Sequence, residues 1–216
     1  MFTGIVQKIA SVAASRQRGG FRILELDLGE LGNEVGVGDS VLVDGVCLTA
    51  AQAKGERVEF EVSAETLRLT TLGSLKPADR VNVELAMRPT DRFGGHFVSG
   101  HVDGLGTIVE KMALPGETRL KIKTPPELAQ LMVMKGSVAV DGISLTIAGL
   151  EKQAFEVSLI PHTLKATTIQ YKGPGASVNI ECDMIGKWVR KFLSPEGATK
   201  PREGQLTLEK LQEEGF

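Results

Sequence analysis

Residues 40–51, SVLVDGVCLTAA, and residues 137–148, SVAVDGISLTIA, agree at eight of twelve positions with a spacing of 97 residues. The repeat does not stop there. ETLRLTTLGSLKPADRVNVE (65–84) lies over HTLKATTIQYKGPGASVNIE (162–181) without a gap, and with a shift of one residue FTGIVQ (2–7) lies over VSGHVD (98–103). Two long copies are not a solenoid, which stacks several short units. They predict two domains of one fold, over 1–93 and 94–186.

Each copy offers about six short strands punctuated by Gly, Pro, Asp or Asn, as in RVEFEVSAET (57–66) and SVNIE (177–181). Val, Ile and Thr with 25 glycines favour strands and tight turns. The Asp-Gly pairs at 44–45 and 141–142 fit two-residue hairpins, and KPAD (76–79) and GPG (173–175) fit turns before the last strand of each copy. The expected fold class is all-β: two homologous six-stranded antiparallel barrels, closed or nearly closed so that vulnerable sheet edges are removed. Beyond them, Met184, Ile185, Trp188, Val189, Phe192 and Leu193 recur at helical spacing opposite Lys187, Arg190 and Lys191. This predicts a C-terminal helix over 187–194 starting near 183, with Asp183 as cap and the apolar stripe packed on its own barrel or on another subunit. The polar, Gly/Pro-punctuated stretch 195–216 reads as a mobile tail, in which LTLEKLQEE suits a short surface helix.

A formal net charge of −2 with both signs interspersed argues against a nucleic-acid partner. No run approaches eighteen apolar residues, and the N-terminus lacks the pattern of a signal peptide, so a cytoplasmic protein is expected. Cys47 and Cys182 make neither a disulfide framework nor a zinc cluster, and no metal is expected.

Because the halves act as controls for each other, their differences are informative. Gly45/Gly142, Leu48/Leu145 and Thr49/Thr146 are shared and read as scaffold. Cys47 faces Ser144, Gly38 faces Lys135, Ala86 faces Asp183 and Ile5 faces His101. The second copy thus holds His, Lys, Ser and Asp where the first is mostly inert, as if two similar ligand pockets had been given different chemistry. Cys182 reads as a small buried hydrophobe, and His162 as structural or surface. Cys47 needs local activation to act as a nucleophile. His96 and His101, in RFGGHFVSGHVDG, lack metal-binding neighbours; His101 suits proton transfer or a structural role. The pairs Thr70–Thr71 and Thr167–Thr168 are either strand residues or hydroxyls offered to a ring rich in amides.

MFTGIVQ, VDGVCLT, ETLRLTTLG, GGHFVSGHVDG and DGISLT together resemble the riboflavin synthase α-chain family, in order and with the family's duplication, from residue 1 to about 190. The resemblance implies two Greek-key barrels, a homotrimer joined through the C-terminal helix, and a site between the first barrel of one subunit and the second of its neighbour. It implies an association with lumazine synthase, and dismutation of 6,7-dimethyl-8-ribityllumazine without a metal or organic cofactor. By motif, it places Phe2, Thr3 and Gly4 from the free N-terminus, with Gly100, along the substrate. Ser40 and Cys47 with Lys135, Ser144, Thr146 and Asp183 surround the reacting rings. His101 is then the proton shuttle with Thr146 as partner, and Thr49, Thr66, Thr163 and Thr167 hydrogen-bond the ring or ribityl chain. A lumazine-protein antenna of the same fold would tend to lose this polar set. A flavin reductase would add a nucleotide-binding domain that is not visible here.

Overall fold

The computed structural model describes residues 1–193, so the reading of 195–216 lies outside the described residues. Six strands, β1 (Lys8–Arg18), β2 (Phe21–Asp27), β3 (Ser40–Val43), β4 (Val46–Lys54), β5 (Arg57–Ser63) and β6 (Arg80–Leu85), close a barrel in the order β1-β2-β5-β4-β3-β6. β7 (Gly104–Leu114), β8 (Glu117–Lys123), β9 (Ser137–Val140), β10 (Ile143–Leu150), β11 (Ala154–Leu159) and β12 (Ser177–Cys182) repeat that order and all pair antiparallel. In each barrel the second strand leads to a third that is not its neighbour, which makes the connection a Greek key.

Alternation decides what lies inside. In β5, Val58, Phe60 and Val62 point to the core between exposed or half-buried neighbours, and in β11 Phe155, Val157 and Leu159 do so around half-buried Glu156 and Ser158. The Asp-Gly turns adopt left-handed conformations at both positions (Asp44 φ 44°, Gly45 φ 82°; Asp141 φ 47°, Gly142 φ 75°), matching the twist of a tight hairpin. Bulges recur too, at Val12/Ala14 and Ile108/Glu110, then at Ala50/Gln52 and Ile147/Gly149. The one-residue slip of the repeat therefore falls between β2 and β3.

Short helices appear where the sequence reading had none: α1 (Ala64–Leu69), α2 (Pro126–Ala129) and α3 (Pro161–Ala166). The Ser63 side chain caps α1 by accepting the Thr66 N–H, while Pro161 opens α3. They are too brief to show a helical period, which is why pattern reading missed them. α4 (Met184–Leu193) is the C-terminal helix, and the Asp183 carboxylate accepts the Ile185 N–H at its start. Lys187 reaches Asp103 at 2.7 Å, which ties α4 to the second barrel.

The barrels meet across an approximate twofold axis. A Cβ added to Gly45 would lie 2.7 Å from the Gly142 nitrogen, so the two Asp-Gly turns touch backbone to backbone. Asn82 and Asn179 lace them together, each donating its side-chain amide to the other barrel's aspartate carbonyl (Asp141 at 3.0 Å, Asp44 at 2.7 Å). Each also accepts a backbone N–H from the other barrel, of Thr168 and Thr71 respectively.

Candidate active site at the junction of the barrels

Two extended arms build the site. The first is the N-terminus and the second is residues 98–103, and they pair with each other through Phe2 and Val98 in both directions. Each arm is held by a buried glutamate of its own barrel. Glu84 accepts the Thr3 N–H, the Thr3 hydroxyl and the Gly4 N–H at 2.7, 2.7 and 2.9 Å. Glu181 accepts the same three groups from Ser99 and Gly100 at 2.7, 2.6 and 2.9 Å. Each arm then crosses to the other barrel. The Gly4 carbonyl accepts the Ser144 N–H (2.7 Å) and the Gly100 carbonyl accepts the Cys47 N–H (2.8 Å). Both glycines have positive φ, and a Cβ on either would fall within 2.6 Å of the residue it faces.

On this frame Cys47 and Ser144 are half-buried and equivalent, on β4 and β10. The Ser144 hydroxyl lies 2.6 Å from His96 Nδ1. His96 is 7% exposed, its Nε2 has no hydrogen-bond partner, and its backbone N–H is taken by the Thr3 carbonyl at 3.1 Å. Burial holds the imidazole below the usual histidine range while the Asp183 charge pulls it back, so near neutrality the ring is uncharged and can exchange a proton.

Strand register sets matching hydroxyls at each barrel's mouth: Ser40 opposite Thr49, and Ser137 opposite Thr146. Thr49 and Thr146 are exposed, and Ser40 lines a cavity of about 180 Å³ with Val35 and Ala86. Lys135 is exposed at φ 65°, where the first copy has Gly38 at φ 92°. A lysine held in a left-handed conformation costs on the order of 1 kcal/mol, strain of the kind that clusters at functional sites.

Within one chain, several of the expected site residues already have partners. Phe2 is wholly buried between Leu42, Val98 and Ala139, and the Thr3 hydroxyl is committed to Glu84, so neither offers a free group to substrate within this chain. Thr167 is 2% exposed and its hydroxyl donates to the Thr163 carbonyl; Thr66, half-buried, shares a hydrogen bond with Ser63. His101 and Thr146 are not joined: exposed His101 follows the glycine that sits on Cys47, whereas Thr146 is on the Ser144 strand. His96 is the histidine that meets Ser144. It was missed because the first copy has no residue to compare with it. Glu84 and Glu181 were legible as VNVE and VNIE, but as shared residues they read as scaffold. Cys182 is buried, and burial, with Asp103 beside it, pushes its thiol up to about 12, leaving it inert at neutral pH. A larger groove of about 580 Å³, lined by Arg80, Tyr171 and Lys172, takes in Thr71 and Thr168 of the two threonine pairs but neither Cys47 nor Ser144.

A family model described as the lumazine binding domain matches residues 3–86 and 99–183. The chain is 40% identical to the riboflavin synthase of Actinobacillus pleuropneumoniae over 216 residues, the whole length of both. It is 39% identical to that of Bacillus subtilis (strain 168), again over the whole of both chains. In fold it is similar to the crystal structure of LumP complexed with 6,7-dimethyl-8-(1'-D-ribityl) lumazine, with a TM-score of 0.76 and 21% identity. That match covers 84% of this chain and 99% of the other.

Proposed function

The chain belongs to the lumazine binding domain family, and from that premise we propose how its two unequal barrels work together. It is a riboflavin synthase: two 6,7-dimethyl-8-ribityllumazine molecules dismutate by transfer of a four-carbon unit, giving riboflavin and 5-amino-6-(D-ribitylamino)uracil. The atoms of the two products are those of the two substrates, so the balance calls for no further reactant.

One observation carries the division of labour: two equivalent walls, on one repeated frame, present a thiol in one barrel and a hydroxyl bonded to a buried neutral histidine in the other. The C7 methyl of the lumazine is acidic because its anion delocalises into the ring, so a modest base out of water suffices. His96 with Ser144 supplies that base in the second barrel, with Asp183 tuning it. Cys47 lies against the partner lumazine, and exposed His101 and Lys135 reach toward the neighbouring subunit. Holding two rings face to face contributes on the order of 7–11 kcal/mol in favourable cases.

The site is completed between subunits of a homotrimer. This reading is supported by α4, whose Ile185, Trp188, Val189 and Phe192 are each at least half exposed. The test is to incubate untagged protein with the lumazine and a chelator. One riboflavin per two lumazines consumed is the expected result. Tight binding with altered fluorescence and no product would sink the catalytic reading and favour an antenna.

A further inference from the structure

We infer that Glu84 is a positioning residue: from the first barrel it holds the arm on which the second barrel's His96 and Ser144 are set. The inference rests on the role given above to those two residues. Glu84 sits on β6, opposite Leu42, and is 4% exposed. A carboxylate accepting three donors makes charge-assisted bonds stronger than neutral ones. Those bonds fix Thr3 and Gly4, and the next atoms along the same backbone do the positioning. The Thr3 carbonyl takes the His96 N–H, and the Gly4 carbonyl takes the Ser144 N–H. One short segment thus sets both partners of the 2.6 Å His96–Ser144 contact.

The packing leaves no slack for that segment to drift. A Cβ on Gly95 would fall 2.1 Å from the Thr3 carbonyl oxygen and 3.0 Å from the Ser144 hydroxyl oxygen. A Cβ on Gly4 would fall 2.6 Å from that of Ser144. Any displacement of the arm is therefore passed to the Ser144 side chain. Glu181 performs the mirror task for Gly100 and, through its carbonyl, for Cys47. The same device in each barrel thus sets the other barrel's reactive group, which makes each glutamate a control for the other.

In Glu84→Gln, one carboxylate oxygen becomes an NH₂ that faces N–H donors, so at least one bond is lost without a change of size. A displacement of the order of an ångström at reacting groups costs up to roughly 100-fold in rate. The experiment compares wild type, E84Q, E181Q and the milder Thr3→Val, which removes one of the three donors. The readouts are kcat and KM for riboflavin formation, ¹⁵N-edited resonances of the His96 ring, and the rate of Cys47 alkylation. E84Q is expected to lower kcat about tenfold or more with KM little changed, and to move the His96 resonances while Cys47 alkylation stays as in wild type. E181Q should do the reverse to the two site probes. T3V should shift kcat and His96 in the direction of E84Q by less, and decides the matter if E84Q does not fold. Wild-type kcat and unmoved His96 signals in E84Q or T3V would overturn the inference, as would a loss of kcat matched by lumazine binding with His96 unmoved. If wild type itself makes no riboflavin, the catalytic reading fails, while the His96 resonances still test the positioning.

Discussion

At the scale of single residues, the most informative position is Ser144. Its counterpart Cys47 marked it in the sequence as a place where the copies had diverged. Its partner was not legible, because a hydrogen bond across 48 residues has no local signature. Ser144→Ala should remove the contact that orients the imidazole. Turnover is expected to fall roughly 10- to 100-fold, less than the roughly 10²–10⁴-fold of a whole acid–base group because the imidazole itself remains, with lumazine binding kept. Equal losses in steady-state turnover and in fluorescence-titrated affinity would show that the hydroxyl only binds. Asp183 offers a test with a sign. Its charge raises the pKa of His96 against the lowering by burial, so Asp183→Asn lets that pKa fall further. With His96 as the proposed base the neutral ring is the active form, and the acid limb of kcat/KM is expected to move to lower pH. Asparagine still caps α4, so the helix is kept. A limb that stays in place or moves upward would refute the pairing.

Among the elements, α4 carries an exposed apolar face. Gly186 lets it approach the Leu131 carbonyl, Lys187 pairs with Asp103, and Arg190 reaches the Gln130 side chain. The opposite face presents Trp188 and Phe192, with ring centroids 6.1 Å apart. An apolar face of this size is normally covered. On the proposed trimer, Trp188→Glu should give single chains in light scattering and cut riboflavin formation at least about tenfold, because the proposed site would lose its second half. The barrels, which do not depend on that face, should melt as before. A variant that stays assembled, or that comes apart and keeps full activity, would show that the helix does not complete the site. The periodicity of α4 was readable because ten residues show a helical stripe. α1 and α3, at six residues each, were not.

The whole molecule is joined by its two buried aspartates. Lys172 bonds Asp141 at 2.6 Å; burial opposes its charge, but Asp141 and Asp44 together raise it. Asp44, whose carboxylate accepts the Asn82 N–H, is pushed up to about 8 by burial and then by Asp141. The folded chain therefore keeps a proton there that the unfolded chain gives up near 3.8. Folded protein binds more protons through that window, so this contribution is full below 3.8 and is lost as pH rises through about 8. Asp44→Asn preserves the acceptor for Asn82 and suits the left-handed turn. The fall in melting temperature between about pH 6 and pH 9 should shrink in that variant. An undiminished fall would place the proton on another group.

What the sequence determined by itself was everything that repeats. Strand alternation, the Asp-Gly turns and the spacing of 97 are local or periodic, and a barrel copied twice must write them twice. The chemistry divided into a legible and an illegible part. Cys47 against Ser144 was legible as a difference between aligned positions. The His96–Ser144 contact, the exchange of arms between barrels and the burial of Phe2 were decided by tertiary structure alone. Each depends on a backbone group finding its acceptor across the approximate twofold axis, and one copy of a sequence does not record which side of that axis its partner lies on.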